Sequence, residues 1–199
     1  MKTLILSGHP RAKSFTLALA DAYRKGSEQA GAQTSLISLA DLNIGKVSAS
    51  ELPSKAEWTT DVTSLWQAML NADHIVITHP LWWGSMPGEL KALFDRLLVS
   101  GEAYKYEKGK AFPTGLLAGR TAEVIMTSDT PDWYYRLGYH SAQTNLMKNQ
   151  ILKFIGLKPI RNTHISPVRL MSETDLAKKL NQVRKMAFQH ASSQLKSAA

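Results

Sequence analysis

The chain has 199 residues, 44% of them hydrophobic and 20% charged, which is long enough for one domain (1–199) with a large core, and no apolar run approaches the ~18 residues needed to span a bilayer. It holds no cysteine, so disulfides, thiolate metal sites and cysteine nucleophiles are excluded, and a cytoplasmic protein is expected. The formal net charge of +8 resides in the second half: residues 1–100 carry nine Lys/Arg and nine Asp/Glu, residues 101–199 fifteen against seven. That excess is scattered (Lys148, Lys153, Lys178, Lys179, Arg184, Lys185) and forms neither a basic block nor an RNA-binding signature, so it reads as a solvated face and no nucleic-acid partner is expected.

Lys2 to Ser7 (KTLILS) reads as a buried strand; its three-residue apolar run is too short for a signal peptide. Phe15, Leu17, Leu19, Ala22 and Tyr23 restart at helical spacing, and the helix ends near Gly26 or Gly31. Gln33 to Leu39 is the expected second strand. Asp41 to Glu57, with Gly45, Ser48, Ser50 and Pro53, reads as a long surface excursion. Val62, Leu65, Trp66 and Met69 share one face of a helix over Trp58 to Asn71, followed by a β-branched strand at His74–Thr78. The apolar run stops at His79-Pro80, exposes two tryptophans, turns through Gly84-Ser85 and becomes a helix with Leu90, Leu93, Phe94, Leu97 and Leu98 on one face; Pro87 is tolerated in its first turn. Gly101 to Gly119 reads as an irregular segment or short hairpin with room to cover a ligand. Thr121 to Thr127 is the fourth strand, SDTPDWYYRLGYH an aromatic loop, and there follow a helix (Ser141 to Phe154), a strand (Lys158 to Ile165) and a last helix (Ser172 to Gln194). Strands alternating with helices predict an α/β fold with a parallel sheet wound on both faces.

In such a sheet the loops after the first, third and fourth strands meet at one edge. The first, SGHPRAKSFT, sets His9, Arg11, Lys13, Ser14 and Thr16 at the start of a helix, whose free N–H groups and positive dipole end suit a phosphate; the same residues also describe an ordinary helix start with Ser14 as N-cap. The segment is not a Walker loop, and no serine sits in a G-x-S-x-G elbow. Trp82 and Trp83 either plug the sheet edge or wall a planar ligand. With TSDTPDWYY adding hydroxyls, a carboxylate and three aromatics, the edge describes a pocket for a phosphorylated planar cofactor, of which flavin mononucleotide is an example. The six histidines include no i, i+4 pair, so no metal site is expected, and His74, His79, His164 and His190 are read as surface or core residues.

The order of three motifs, GHPRAKSFT, HPLWWGSMPGELKALFDR and TSDTPDWYY followed by His140, resembles over nearly the whole chain the flavodoxin-like NAD(P)H:quinone oxidoreductases, with their bacterial NAD(P)H dehydrogenase and potassium-efflux ancillary relatives. The resemblance implies a flavodoxin-like, doubly wound, five-stranded parallel sheet of order 2-1-3-4-5. It also implies a flavin whose phosphate is held by His9, Ser14, Phe15 and Thr16 and whose ring is lined by Pro80, Leu81, Trp82, Trp83 and Gly84 and bordered by Thr127, Ser128 and Asp129. The animal enzymes carry Thr-Thr-Gly-Gly where this chain has Thr127-Ser128-Asp129-Thr130, so the backbone approach to the ring does not carry over unchanged. The family's hydride-assisting tyrosine and histidine fall near Tyr135 and His140, with Tyr134 an equally plausible match.

The resulting expectation is an enzyme in which NAD(P)H reduces bound FMN, or alternatively FAD, and a quinone then replaces the nicotinamide at one site. Tyr135 and His140 are the expected catalytic residues, stabilising charge or supplying a proton. Azo or nitro compounds are rival acceptors; a one-electron carrier and a regulatory flavoprotein subunit of a membrane transporter are rival roles. The high positive charge speaks against the carrier. A homodimer whose partner completes the site is implied by the resemblance.

Overall fold

The computed structural model describes residues 1–45 and 54–197. In chain order the strands are β1 (Lys2–Ser7), β2 (Gln33–Ser38), β3 (His74–Pro80), the short pair β4 (Tyr104–Lys105) and β5 (Thr114–Gly115), β6 (Thr121–Thr127) and β7 (Lys158–Ile165). The helices are α1 (Phe15–Gln29), α2 (Thr60–Asn71), α3 (Gly88–Leu97), α4 (Asp132–Leu137), α5 (Ala142–Asn145), which widens into a π-helix over Leu146–Leu152, and α6 (Glu173–Ser197). Five strands pair in parallel in the order β2-β1-β3-β6-β7, with β4 and β5 forming a separate antiparallel pair. Omitting that pair, this is the expected order 2-1-3-4-5.

The central strand β3 is buried at every residue, as a strand covered on both faces must be. Period-two alternation then sorts the side chains. Leu4, Leu6, Ile75, Ile77, Ala122 and Val124 pack against Val62, Leu65, Trp66 and Met69 of α2 and Leu90, Leu93 and Leu97 of α3. Ile5, Val76 and Ile125 face the other way, against Leu19 and Tyr23 of α1 and Val183 and Ala187 of α6. The α1–α6 seam is close because Gly26 lacks a side chain: a Cβ there would lie 2.1 Å from the Arg184 carbonyl oxygen.

Some boundaries differ from those expected of the sequence. Trp58 stands outside α2, since Thr59 caps that helix through its side chain, and the Trp58 indole N–H donates to the Arg96 carbonyl at 2.7 Å while Arg96 Nη1 donates to the Glu57 carbonyl at 2.9 Å. Of the expected surface excursion, Ser48, Ser50 and Pro53 lie outside the described residues. The aromatic loop after β6 contains the helix α4, which local polarity and Pro131 mask in the sequence; Pro131 sits at its N-cap, where a missing N–H costs nothing.

Gly26→Ala should therefore destabilise the protein by about 1–3 kcal/mol, because the backbone of α6 must give way to overpacking at the seam. Urea unfolding followed by circular dichroism measures this; an unchanged midpoint would show that the two helices separate without cost.

Candidate functional site

Three loops leave the carboxyl edge of the sheet, and hydrogen bonds prolonging the parallel ladder hold each to its neighbour. The Gly8 amide donates to the Thr78 carbonyl (2.6 Å), the Leu81 amide to the Thr127 carbonyl (2.7 Å), and the Ser128 amide to the Ile165 carbonyl (3.1 Å).

In the first loop, the buried His9 accepts the Arg11 amide on Nδ1 at 3.0 Å. An acceptor Nδ1 fixes the tautomer with hydrogen on Nε2, leaving that nitrogen as a donor. Burial, and then the adjacent Arg11 charge, push the His9 pKa down and keep the ring neutral. Ser14 caps α1, its hydroxyl accepting the Leu17 amide at 3.1 Å. The amides of Phe15 and Thr16 belong to the first helical turn and have no acceptor within the helix. Thr16 turns its hydroxyl inward: it lies 3.2 Å from the Thr127 hydroxyl, and the Thr16 carbonyl accepts from Thr78 Oγ1 at 3.2 Å. Its side chain thus joins the first loop to the end of β6, and its amide is what remains at the helix start.

The second loop is a tight turn. Trp82 and Ser85 exchange both backbone hydrogen bonds (2.8 and 3.0 Å), and the central residues Trp83 and Gly84 have φ of +50° and +80°. Positive φ at both positions is the hairpin geometry that favours Asn-Gly, so tryptophan at the first is strained. Trp83 is 105% exposed and plugs nothing. Trp82 is half-buried instead, meeting the His9 ring edge-on at 5.4 Å with the Arg11 guanidinium 5.9 Å from its ring centre. Pro80 is buried at the end of β3, and Leu81 is half-buried. His79 is wholly buried, its Nδ1 within 2.9 Å of the Pro80 carbonyl, and desolvation lowers its pKa to about 4.

The third loop holds an arrangement that sequence spacing does not reveal. Ser128 Oγ lies 2.8 Å from His164 Nε2, and His164 Nδ1 lies 2.9 Å from Asp132 Oδ1. This order of groups is that of a hydrolytic triad, but the serine is fully engaged: Oγ also accepts the Thr130 amide (3.1 Å) and donates to the Thr130 carbonyl (3.2 Å), and its own amide is spent on Ile165. With its hydroxyl and its amide both committed to the protein, the chain Ser128–His164–Asp132 fixes the loop. Partial burial works against ionisation of Asp132, but hydrogen bonds from His164 and Arg136 outweigh it and hold its pKa below the ordinary value. Asp129 is exposed and accepts the Arg169 amide at 2.6 Å.

Between the second and third loops opens a cleft of about 530 Å³ lined by Leu81, Trp83, Gly84, Thr130, Tyr135, Tyr139 and Ala142. Tyr135, not the half-exposed Tyr134, reaches it. The Tyr135 ring is buried beside His164 at 4.6 Å, and its hydroxyl pairs with Thr144, lying 2.9 Å from Oγ1 and accepting the Thr144 amide at 2.9 Å. His140 is exposed, has φ +49°, and is not among the lining residues; Tyr139, which spacing along the sequence does not single out, is. No residue of Gly101–Gly119 lines the cleft. That segment instead packs on the chain near Ile155, whose carbonyl accepts the Leu117 amide at 2.8 Å.

A family model described as having a flavodoxin-like fold, Flavodoxin_2, matches residues 1–187. A Haemophilus influenzae protein named as an uncharacterized NAD(P)H oxidoreductase is 26% identical over 178 residues, with 87% of each chain covered. An FMN-dependent NADH:quinone oxidoreductase of Pseudomonas savastanoi pv. phaseolicola is 28% identical over 174 residues, covering 79% of this chain and 80% of that one. Among solved structures, an FMN-dependent NADH-azoreductase from Bacillus anthracis in complex with FMN superposes with a TM-score of 0.74 at 21% identity, covering 96% and 99% of the two chains.

The buried, neutral His79 makes the edge acid-sensitive. Its folded pKa of about 4 lies below the unfolded value of 6.5, so the unfolded chain binds the proton more readily. Stability should be full above pH 6.5 and fall as the pH drops towards 4, by on the order of 3 kcal/mol from this residue alone. Unfolding free energies measured across that window should flatten in His79→Gln; an equally steep acid limb in the variant would exclude His79 as its source.

Proposed function

Because the chain belongs to the Flavodoxin_2 family, of flavodoxin-like fold, we propose that it is an FMN-dependent NAD(P)H oxidoreductase that delivers hydride to a quinone or a related electrophilic acceptor. The observation that carries this reading is the juxtaposition, at one sheet edge, of a helix start with unused amides and a cleft walled by aromatic rings. The relatives named for FMN and NAD(P)H support the same choice of cofactor and donor.

The residues present fit the group. The Nε2–H of His9, the Ser14 hydroxyl and the first-turn amides of Phe15 and Thr16 form a phosphate cradle whose only ionisable ring is neutral, so it holds the anion by dipoles and hydrogen bonds. Pro80 to Gly84 present backbone and aromatic surface to the ring, with Trp82 bracing the loop against His9. Thr127 ties that edge to Thr16, while Ser128 and Asp129 border it with side chains already bound to the protein. Bound there, FMN would supply the hydride-transfer chemistry between NAD(P)H and the acceptor. Tyr135 keeps the cleft floor rigid and excludes water. Its hydroxyl accepts the Thr144 amide, which orients it to share a proton with the Thr144 hydroxyl. His140, exposed and at φ +49°, lies one residue beyond the cleft-lining Tyr139.

The protein acts as a homodimer in the cytoplasm. Trp83 in the cleft wall and Leu137 and Trp133 on α4, the helix that carries Tyr135, are 105%, 71% and 65% exposed, apolar surface suited to a second copy. No helix among the described residues is long and apolar enough to cross a membrane.

The purified protein should be yellow, and chromatography of the released pigment should identify FMN; a colourless protein that takes up no added FMN would refute the reading. With NADH or NADPH and a benzoquinone, double-reciprocal plots should be parallel, whereas intersecting lines would exclude alternation at one site. Replacing both His9 and Ser14 by alanine should weaken FMN binding by about 10- to 100-fold, at one to two hydrogen bonds to a charged group. Unchanged FMN retention in that variant would place the phosphate elsewhere.

A further inference from the structure

At the amino edge of the sheet, remote from the cleft, three residues far apart in sequence converge. His74 begins β3, Glu123 lies near the start of β6, and His190 comes from the last turns of α6. All three side chains project to the α1–α6 side, and one donor atom from each lies within 4.8 Å of the others. His74 and Glu123 are 0% exposed and His190 9%. We infer that His74, Glu123 and His190 bind a single divalent transition-metal ion of the zinc class.

The hydrogen bonding favours a cation over a closed network of protein groups. Both carboxylate oxygens of Glu123 and the Nε2 of His190 are buried without a hydrogen-bond partner. A buried carboxylate left in that condition is costly, and its nearest cation, Arg161 Nη1, is 3.7 Å away. His74 is oriented as a ligand should be: its Nδ1 lies 2.7 Å from the Thr121 hydroxyl, the kind of outer partner that fixes tautomer and ring direction and turns Nε2 inward. The Tyr23 hydroxyl, which hydrogen-bonds to His74 Nε2 at 3.0 Å, is placed to become the fourth donor, an oxygen, when the ion takes its place on that nitrogen.

The donor set selects the ion. Two imidazoles and a carboxylate suit zinc and its neighbours, which accept four ligands, whereas magnesium and calcium demand six or more oxygens that this pocket does not supply. Donor separations of up to 4.8 Å exceed those of a closed tetrahedron by roughly an ångström, so small side-chain rotations close the site. Arg161 competes for Glu123, but its side chain is 41% exposed on the edge strand β7 and has water to retreat into. The role is structural: the ion pins the C-terminal part of α6 to β3 and β6, and it takes no part in chemistry at the opposite edge.

The test is titration of the chelator-treated holoprotein with Zn(II) against a chromophoric competitor, and with Co(II) by visible absorption. One Zn(II) per chain is expected, with a tetrahedral-type Co(II) spectrum and a melting temperature raised by about 5 °C or more at a hundredfold excess over Kd. Glu123→Gln and His190→Gln should each weaken binding by at least about 100-fold and abolish the Co(II) spectrum. Arg161→Gln should tighten binding several-fold, where loss of a merely structural ion pair would leave it unchanged. Absence of stoichiometric uptake by the wild-type protein, or uptake unaltered in both ligand variants, would overturn the proposal. The wild-type and Arg161→Gln titrations decide even where a ligand variant fails to fold, and neither depends on flavin binding.

Discussion

The site depends on the parallel ladder not stopping where the strands stop. Amides one residue past β1, β3 and β6 still find carbonyls on the neighbouring strand or just beyond it, so three loops that are irregular in sequence are fixed relative to one another with the precision of a sheet. A parallel sheet demands this, since buried amides left unpaired would each cost a hydrogen bond. The threonines add to it. Thr78 donates to the Thr16 carbonyl, and the Thr16 hydroxyl meets that of Thr127, so the start of α1 is hydrogen-bonded to two strands at once.

That arrangement divides labour among residues that look alike. Ser14 and Thr16 are both hydroxyls at a helix start, yet one caps and the other clasps. Trp82 and Trp83 are adjacent, yet one leans on His9 and the other stands in solvent at a strained φ. Strain retained in an exposed aromatic has no packing benefit to offset it, which is the circumstance in which a functional cause is sought. Rigidity beneath the cleft comes from Ser128, His164 and Asp132, which join the ends of β6 and β7 and the start of α4.

The alternation of periods made a parallel sheet with helices on both faces legible in the sequence, because β3 centres on a β-branched apolar run and α3 is apolar on one face, while the strand order came from the resemblance of the three motifs. In the loops after β1 and β3, Ser14 was legible as the cap of α1 and Gly84 as part of the turn, since a short hydroxyl before a helix and a glycine at positive φ are the residues those positions favour. What spacing could not reveal depends on contacts made across the chain. His164 meets Ser128 at a separation of 36 residues and His74 meets His190 across 116, and no local pattern encodes either. The tyrosines show the same limit on a smaller scale: whether Tyr134, Tyr135 or Tyr139 faces the cleft is decided by the short helix α4, whose start is marked only by a proline.

The edge strand β7 has one more consequence. It reads Lys-Pro-Ile-Arg-Asn-Thr-His-Ile, and its outer rim bears a lysine, a residue without an amide proton and an arginine, with a register break opposite Ala122 and Glu123. An edge so charged and interrupted refuses a sixth strand. Copies of the chain that meet are thereby steered away from open-ended sheet extension and towards contacts through helices and loops, which can close on themselves into a finite assembly.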